Sequence, residues 1–431
     1  MLSFMPDRAA ITSVRSHPRT IRTRPEEWGI EVSSSLSRTA VLAITCGSAM
    51  VLLSFGIRSS FGLFLQPMSL DLGWGREVFA FALALQNLVW GLAQPFTGML
   101  ADRYGSGRTL AAGGLLYALG VWLMATTSTP LALHLSAGVL LGLALSATGF
   151  GVVLAAVARS VAPERRSMAL GITTSLGSLG QFLMPPIGQA FLAAYGWHTA
   201  LMLMAAGSLA MVALAAGIQG RPQAAAGDTQ TLRQALTEAR RHPGYLYLTA
   251  GFFVCGWHVA FIAVHLPAYL ADNGLSTQTA AWCLALIGLF NVIGSYLSGL
   301  LGGRLSKKYC LSFLYTARAV LITVFILLPV TATSALMFSA IMGLLWLSTV
   351  PLTSGLVAQI FGPRYMATLF GFVFLGHQLG SFLGVWLGGF LYDRYGSYDL
   401  VWWLSISLGL LAALLHWPID ERAVARLRTQ S

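Results

Sequence analysis

The chain has 431 residues, 56% of them hydrophobic and only 10% charged, with a mean hydropathy of +0.71 and a formal net charge of +11. No soluble globular protein needs that much apolar surface, whereas a bilayer does, because each spanning helix takes ~20 apolar residues. The basic balance alone suggests a nucleic-acid partner, and its distribution along the chain excludes one.

Residues 1–38 are polar, with prolines at 6, 18 and 25. They lack an apolar core and a cleavage site, so they are expected to be a disordered cytoplasmic N-terminus rather than a removable signal. Twelve apolar spans follow, at roughly 39–66, 77–100, 109–127, 131–158, 167–194, 198–218, 244–270, 277–302, 310–330, 333–360, 366–391 and 398–417. With the N-terminus inside, 22 of the 26 Lys and Arg fall on one side of the membrane, and only Arg76 and Arg394 lie in the opposite loops. This positive-inside bias predicts a multi-pass inner (plasma) membrane protein with both termini in the cytoplasm, and makes lipid rather than nucleic acid the counter-surface. Residues 219–243 read as a cytoplasmic linker, with helical spacing from Thr231 to Arg241, between a six-helix half at 39–218 and another at 244–417; 418–431 form a cytoplasmic tail. Cys46, Cys255, Cys283 and Cys310 sit in or beside spans without CxxC spacing, so neither a disulfide nor a metal cluster is expected.

The two halves are copies. Gly73-Trp74 and Gly98-Met99-Leu100-Ala101-Asp102-Arg103 recur as Gly274-Leu275 and Gly299-Leu300-Leu301-Gly302-Gly303-Arg304, offset by 201. Pro163, Gly171, Gly180, Gly188 and Tyr195-Gly196 recur as Pro363, Gly371, Gly380, Gly388 and Tyr395-Gly396, offset by 200. A membrane chain of two like halves is built to rock one half against the other around a central site, which is the architecture of a carrier. One chain carries both halves, so a monomer suffices.

The loop Gly98-x-Leu100-Ala101-Asp102-Arg103-x-Gly105-x-x-Arg108 joins the second and third spans. Asp102 can pair with basic groups or a helix N-terminus of the other half, holding one conformation shut. Gly98, Asp102, Arg103 and Arg108 are therefore gating candidates, as is Arg304 in the second copy, where Gly303 replaces the aspartate. This loop resembles the signature loop of the major facilitator superfamily, and the resemblance runs over essentially all the chain after residue 39. It implies an all-α membrane fold of twelve helices in two pseudo-symmetric halves, without a cofactor. Within the superfamily the chain resembles the monocarboxylate and oxalate–formate transporters. Three stretches carry this: Phe55-Gly56-Ile57-Arg58-Ser59-Ser60-Phe61-Gly62, Arg165-Arg166-Ser167-Met168-Ala169-Leu170-Gly171, and Gly388-Gly389-Phe390-Leu391-Tyr392-Asp393-Arg394-Tyr395-Gly396. The chain departs from those relatives at the start of its first span, which reads Arg38-Thr39-Ala40-Val41-Leu42, and in its eighth, where Asn291 and Ser295 replace an acidic residue and an arginine.

Ionisable side chains inside a bilayer are costly and mark candidate sites. No Asp or Glu lies in mid-span, and Arg58 and Arg318 are the only cations there. Arg58 lies ~13 Å before the outer helix end at Pro67, on a span that lines the cavity in the resembled fold, and its fork suits a carboxylate. Arg318 reads as a snorkelling or carbonyl-bonded arginine. His377 and Gln378 sit mid-span in helix eleven, where His377 can donate hydrogen bonds to an anion or carry a coupled proton. His258 and His265, seven apart on one face, are further proton-coupling candidates. Asn87 and Asn291 are amide candidates for the substrate site, with Gln86, Gln181 and Ser348-Thr349 weaker ones. No GxxxxGK[ST] loop is present, so the expected energy source is an ion or counter-substrate gradient, and no enzymatic triad stands out. The reading is a secondary carrier for a small, monocarboxylate-like organic anion, with efflux of amphiphilic compounds as the alternative.

Overall fold

The computed structural model describes residues 37–161, 166–218, 231–362 and 365–428. All elements among them are helical. Backbone polar groups in a bilayer must be satisfied within the segment, and the helix does so over each apolar run. The spans are α1 (Arg38–Leu72), α2 (Arg76–Tyr104), α3 (Ser106–Ala125), α4 (Pro130–Ser160), α5 (166–195), α6 (197–215), α7 (Pro243–Asp272), α8 (Thr277–Gly302), α9 (Lys307–Leu327), α10 (Ala332–Phe361), α11 (Met366–Tyr395) and α12 (Asp399–His416).

Three details differ from the sequence expectation. The first helix starts at Arg38, capped by the Ser37 hydroxyl accepting from the Ala40 amide at 3.1 Å, so Ser37 and Arg38 belong to the bundle; the rest of the 1–38 segment lies outside the described residues. α5 and α6 follow each other without a loop, and only Gly196, at φ +74°, turns the chain between them. A side chain there would be strained, and its repeat partner Gly396 ends α11 at φ +70°. α9 begins at Lys307, three residues earlier than expected, because Glu421 caps it from the tail: its carboxylate accepts from the Lys308 amide at 2.6 Å and the Ser306 hydroxyl at 3.0 Å. The tail is therefore docked on the bundle, with the Val424 amide donating to the Ile360 carbonyl at 2.9 Å and Arg426 Nη2 to the Phe361 carbonyl at 3.2 Å.

Residues 219–230 of the expected linker lie outside the described residues. Its remainder forms a helix, Leu232–Arg241, started by a capping box in which Thr231 and Gln234 bond reciprocally. Ala235 and Ala239 are buried, while Arg233, Arg240 and Arg241 stay exposed.

The duplication holds in three dimensions. α1 crosses α5 at Gly180, whose absent Cβ leaves room for the Leu52 carbonyl; α7 crosses α11 at Gly380, which does the same for Phe253. The Ser54 hydroxyl meets Thr148 Oγ1 at 3.0 Å, and 201 residues on Cys255 Sγ meets Thr349 Oγ1 at 3.1 Å. Both threonines stand where a spanning helix is interrupted. α4 breaks at Gly149, whose backbone is extended, and α10 breaks between Leu345 and Thr349. Paired interruptions in corresponding spans are the mark of a central transport site.

Candidate functional site

Two antiparallel seams join the halves. In the α2–α11 seam, a Cβ on Gly389 would strike Ala80 and one on Gly91 would strike Gln378. Continued in the same register, the seam places Gly98 opposite Gly371, and neither has an atom within 4 Å of its Cβ position. In the α5–α8 seam Gly288 abuts Gln181 and Phe182, whereas Gly171 and Gly299 face open space. The bundle is thus shut from one end to its middle and open at the end that carries the basic loops.

The shut end is held by charge. Arg76, the first residue of α2, grips Asp272 at the end of α7 bidentately, at 2.6 and 2.7 Å. Its guanidinium also donates to the Tyr398 hydroxyl at 3.1 Å and lies 3.8 Å from the Tyr392 ring centre. Asp393 of α11 accepts from the Arg76 and Glu77 amides at 2.9 and 2.7 Å, capping the N-terminus of α2 from the other half. Trp386 donates to Glu77 at 3.0 Å. Sequence reasoning passed over this network, although Asp393-Arg394-Tyr395-Gly396 repeats Asp102-Arg103-Tyr104-Gly105 letter for letter. His265 belongs here: its Nε2 bonds the Val385 carbonyl at 2.8 Å and its Nδ1 faces the Tyr398 hydroxyl at 3.0 Å.

In mid-bundle the structure gathers four of the five substrate candidates. Arg58 Nη2 donates to Asn87 Oδ1 at 2.6 Å. Asn87 is held by its amide nitrogen on the Leu83 carbonyl at 2.9 Å, and its own carbonyl accepts from Gln378 Nε2 at 3.1 Å. His377 Nδ1 lies 3.1 Å from Gln378 Oε1, an amide oxygen that can only accept. Arg58, from α1, is half-buried, and its Nε has no partner. The Trp90 ring lies against it, 5.3 Å from the guanidinium carbon. With no carboxylate in the middle of any span, this guanidinium keeps donors for an anion.

Asn291 sits elsewhere, in the α5–α8 seam. It donates to the Ser178 hydroxyl at 3.2 Å, and its Oδ1 accepts from the Leu347 amide at 3.1 Å and from Ser295 at 3.0 Å. It therefore ties the halves and the α10 break together. His258 faces α12, with Nε2 on the Ser405 carbonyl at 2.8 Å. Arg318 is carbonyl-bonded: Nε donates to the Leu345 carbonyl at 3.1 Å and Nη2 to the Leu345 and Trp346 carbonyls exposed by the α10 break. Its counterpart 201 residues earlier, Tyr117, donates to the Ser54 carbonyl at 2.8 Å. Gln86 is bonded to the Ala137 carbonyl at 2.8 Å.

Of the gating candidates, Gly98 faces open space, and Arg103, Arg108 and Arg304 are exposed at the open end. The Asp102 side chain lies outside the described residues, so its partner is not among the contacts above.

Twelve helices in two like halves, paired at a central polar layer, define a membrane carrier rather than an enzyme. The Major Facilitator Superfamily model matches residues 47–384, and the chain belongs to that superfamily. It takes a small-molecule substrate, as transporters of this family do. It is 26% identical to monocarboxylate transporter 13 of Bos taurus, over 88% of this chain and 89% of that one. It is equally 26% identical to the uncharacterized MFS-type transporter YcxA of Bacillus subtilis (90% and 96% covered) and to the probable sulfoacetate transporter SauU of Cupriavidus necator (82% and 88%). The fold matches a solved bacterial homolog of the human lysosomal transporter Spinster, in an inward-facing and unoccupied conformation, with TM-score 0.71, 15% identity, and 89% and 97% of the two chains covered.

Proposed function

We propose that this carrier moves a small organic anion of the monocarboxylate kind by alternating access, and that Arg58 is the residue that holds it. The observation that carries the reading is the guanidinium itself. It is half-buried in mid-bundle, bonded to one neutral amide, with a buried Nε left unpartnered and no carboxylate in the middle of any span. A carboxylate is the ligand that answers both the charge and the geometry. Relatives whose names specify monocarboxylate or sulfoacetate transport agree in the negative sign of the substrate's charge. Gln378 reaches Arg58's partner from the other half, with His377 beside it, so an anion seated there touches both bodies that must move. His377 is the residue of that cluster able to carry a coupled proton.

In this reading the basic loops face the cytoplasm of the plasma membrane, the structure is the inward-open state, and the Arg76–Asp272–Asp393 network is the closed outer gate. Halves 39–218 and 244–417 rock as units, and Gly98 to Arg108 with Arg304 closes the inner end in the opposite state. A monomer is sufficient.

The test is thermal stabilisation of the purified chain by small monocarboxylates and, in parallel, by lipophilic cations. A ligand that binds only the folded state raises its apparent stability. Carboxylates are expected to raise the midpoint, and Arg58→Gln to abolish the shift while the unliganded midpoint holds. Stabilisation by bulky amphiphiles alone, indifferent to Arg58→Gln, would replace the anion reading with efflux.

A further inference from the structure

One helical turn from the polar layer, toward the open end, lies a second layer made of aromatic rings. Phe55 precedes Arg58 on α1, Trp90 follows Asn87 on α2, and Phe374 precedes His377 on α11, each by three residues. The rings touch: Phe55 meets Trp90 at 5.8 Å and Phe150, beside the α4 break, at 4.5 Å, while Trp90 meets Phe374 across the halves at 5.6 Å. Phe374 in turn stacks on His377 at an interplanar angle of 9°. Phe150 and Phe374 are half-buried, so the wall is partly open. Its one polar atom, Trp90 Nε1, is already bonded to Gln94 at 2.9 Å, so the layer offers a ligand only ring faces and edges.

The fold does not require this wall. If packing alone demanded rings there, the repeated half would keep them. At the equivalent positions it has Gly256 for Phe55, Asn291 for Trp90, Pro351 for Phe150, and Thr174 for Phe374. The aromatic layer is therefore a feature of one side of the bundle, the side that holds the guanidinium. A formate-sized or acetate-sized anion on Arg58 would leave the exposed parts of Phe150 and Phe374 uncovered. A planar apolar body extending from the carboxylate toward the open end would lie among them, with edges and faces available for offset or T-shaped contact.

Resting on the anion reading of Arg58, we propose that the substrate class is the aryl carboxylates, with the carboxylate on Arg58 and the aromatic body against Trp90 and Phe374. A ligand so placed touches α1 and α2 of one half and α11 of the other.

The experiment is equilibrium binding of acetate, cyclohexanecarboxylate and benzoate to the full-length chain in lipid nanodiscs. It compares wild type with Trp90→Leu, Phe374→Leu and Arg58→Gln. Benzoate is expected to bind at least about tenfold more tightly than acetate, and several-fold more tightly than cyclohexanecarboxylate, since ring burial adds apolar area and ring–ring contact adds geometry. Phe374→Leu should shrink the benzoate-to-acetate ratio while acetate affinity stays the same; Trp90→Leu should do likewise. Phe374, at the rim, keeps the test decisive if Trp90→Leu fails to fold. Acetate binding as tightly as benzoate, or a ratio untouched by Phe374→Leu, overturns the aryl proposal and leaves the anion site standing. Carboxylate binding indifferent to Arg58→Gln overturns the site itself.

Discussion

Arg58 and Arg318 are the same side chain in the same apolar solvent, placed in opposite circumstances. Arg318 is fully buried and engaged by the two carbonyls that the α10 break exposes, so its charge serves the C-terminal end of the half-helix Ala332–Leu345. Each keeps one buried nitrogen unpartnered, Nε of Arg58 and Nη1 of Arg318, but Arg58 has a single neutral side-chain partner where Arg318 has two backbone carbonyls, so the Arg58 charge is the less engaged. Arg318→Met should therefore cost about 2–4 kcal/mol of stability, because it strands buried carbonyls, and leave anion affinity where it was. Loss of affinity with an unchanged melting midpoint would make Arg318 a ligand-contacting residue instead. Both arginines are visible in the sequence as the only mid-span cations. Their different partners are not, because the Leu345 and Trp346 carbonyls become available only when a helix of another span breaks. The histidines divide in the same way: three look alike along the chain, yet one faces α12, one the shut end and one the central layer.

At the level of helices, α2 and α11 are the working pair. They run antiparallel across the boundary of the halves, and each ends in the same four residues, Asp-Arg-Tyr-Gly, at 102–105 and 393–396. In this structure the second copy is engaged, with Asp393 capping the start of α2 at 2.9 and 2.7 Å. Asp393→Asn keeps the shape and removes the charge, weakening two charge-assisted hydrogen bonds and the attraction to the helix dipole. A loss of ~1 kcal/mol moves the balance between the shut and open states of that end about fivefold. In a background free of other cysteines, Gln66→Cys, in the seam beside Thr277 at that end, should accordingly be labelled several-fold faster by an impermeant maleimide when Asp393→Asn is added. An unchanged rate would reduce Asp393 to a local turn residue.

For the whole molecule, the register of the seams defines the state. Contact runs from Gly389 and Ala80 to Gly91 and Gln378, and ceases at Gly98 and Gly371. A Gly98→Cys, Gly371→Cys double variant should resist disulfide formation without ligand, because bridging needs the two Cα atoms within about 7 Å. Under the proposed function, addition of a small monocarboxylate should speed bridging by sampling the state in which this end closes. Rapid bridging without ligand would contradict an open end.

Span number, the duplication and the loop joining α2 to α3 all follow from the chain itself. Apolar length is a local property, a repeat is a comparison of the chain with itself, and a spanning helix needs no partner to form. Arg58, Asn87, His377 and Gln378 were each legible as polar residues in an apolar solvent. Their meeting was not, since it joins α1, α2 and α11 across more than 300 residues. The tertiary structure also decided that Asn291 belongs to the other seam and that Arg318 serves a helix break. It alone decided that one end is shut by Arg76, Asp272 and Asp393. The physical reason is common to all of these. A polar group in a membrane interior must find a partner, and the sequence records the need for that partner while only the packing of distant helices supplies it.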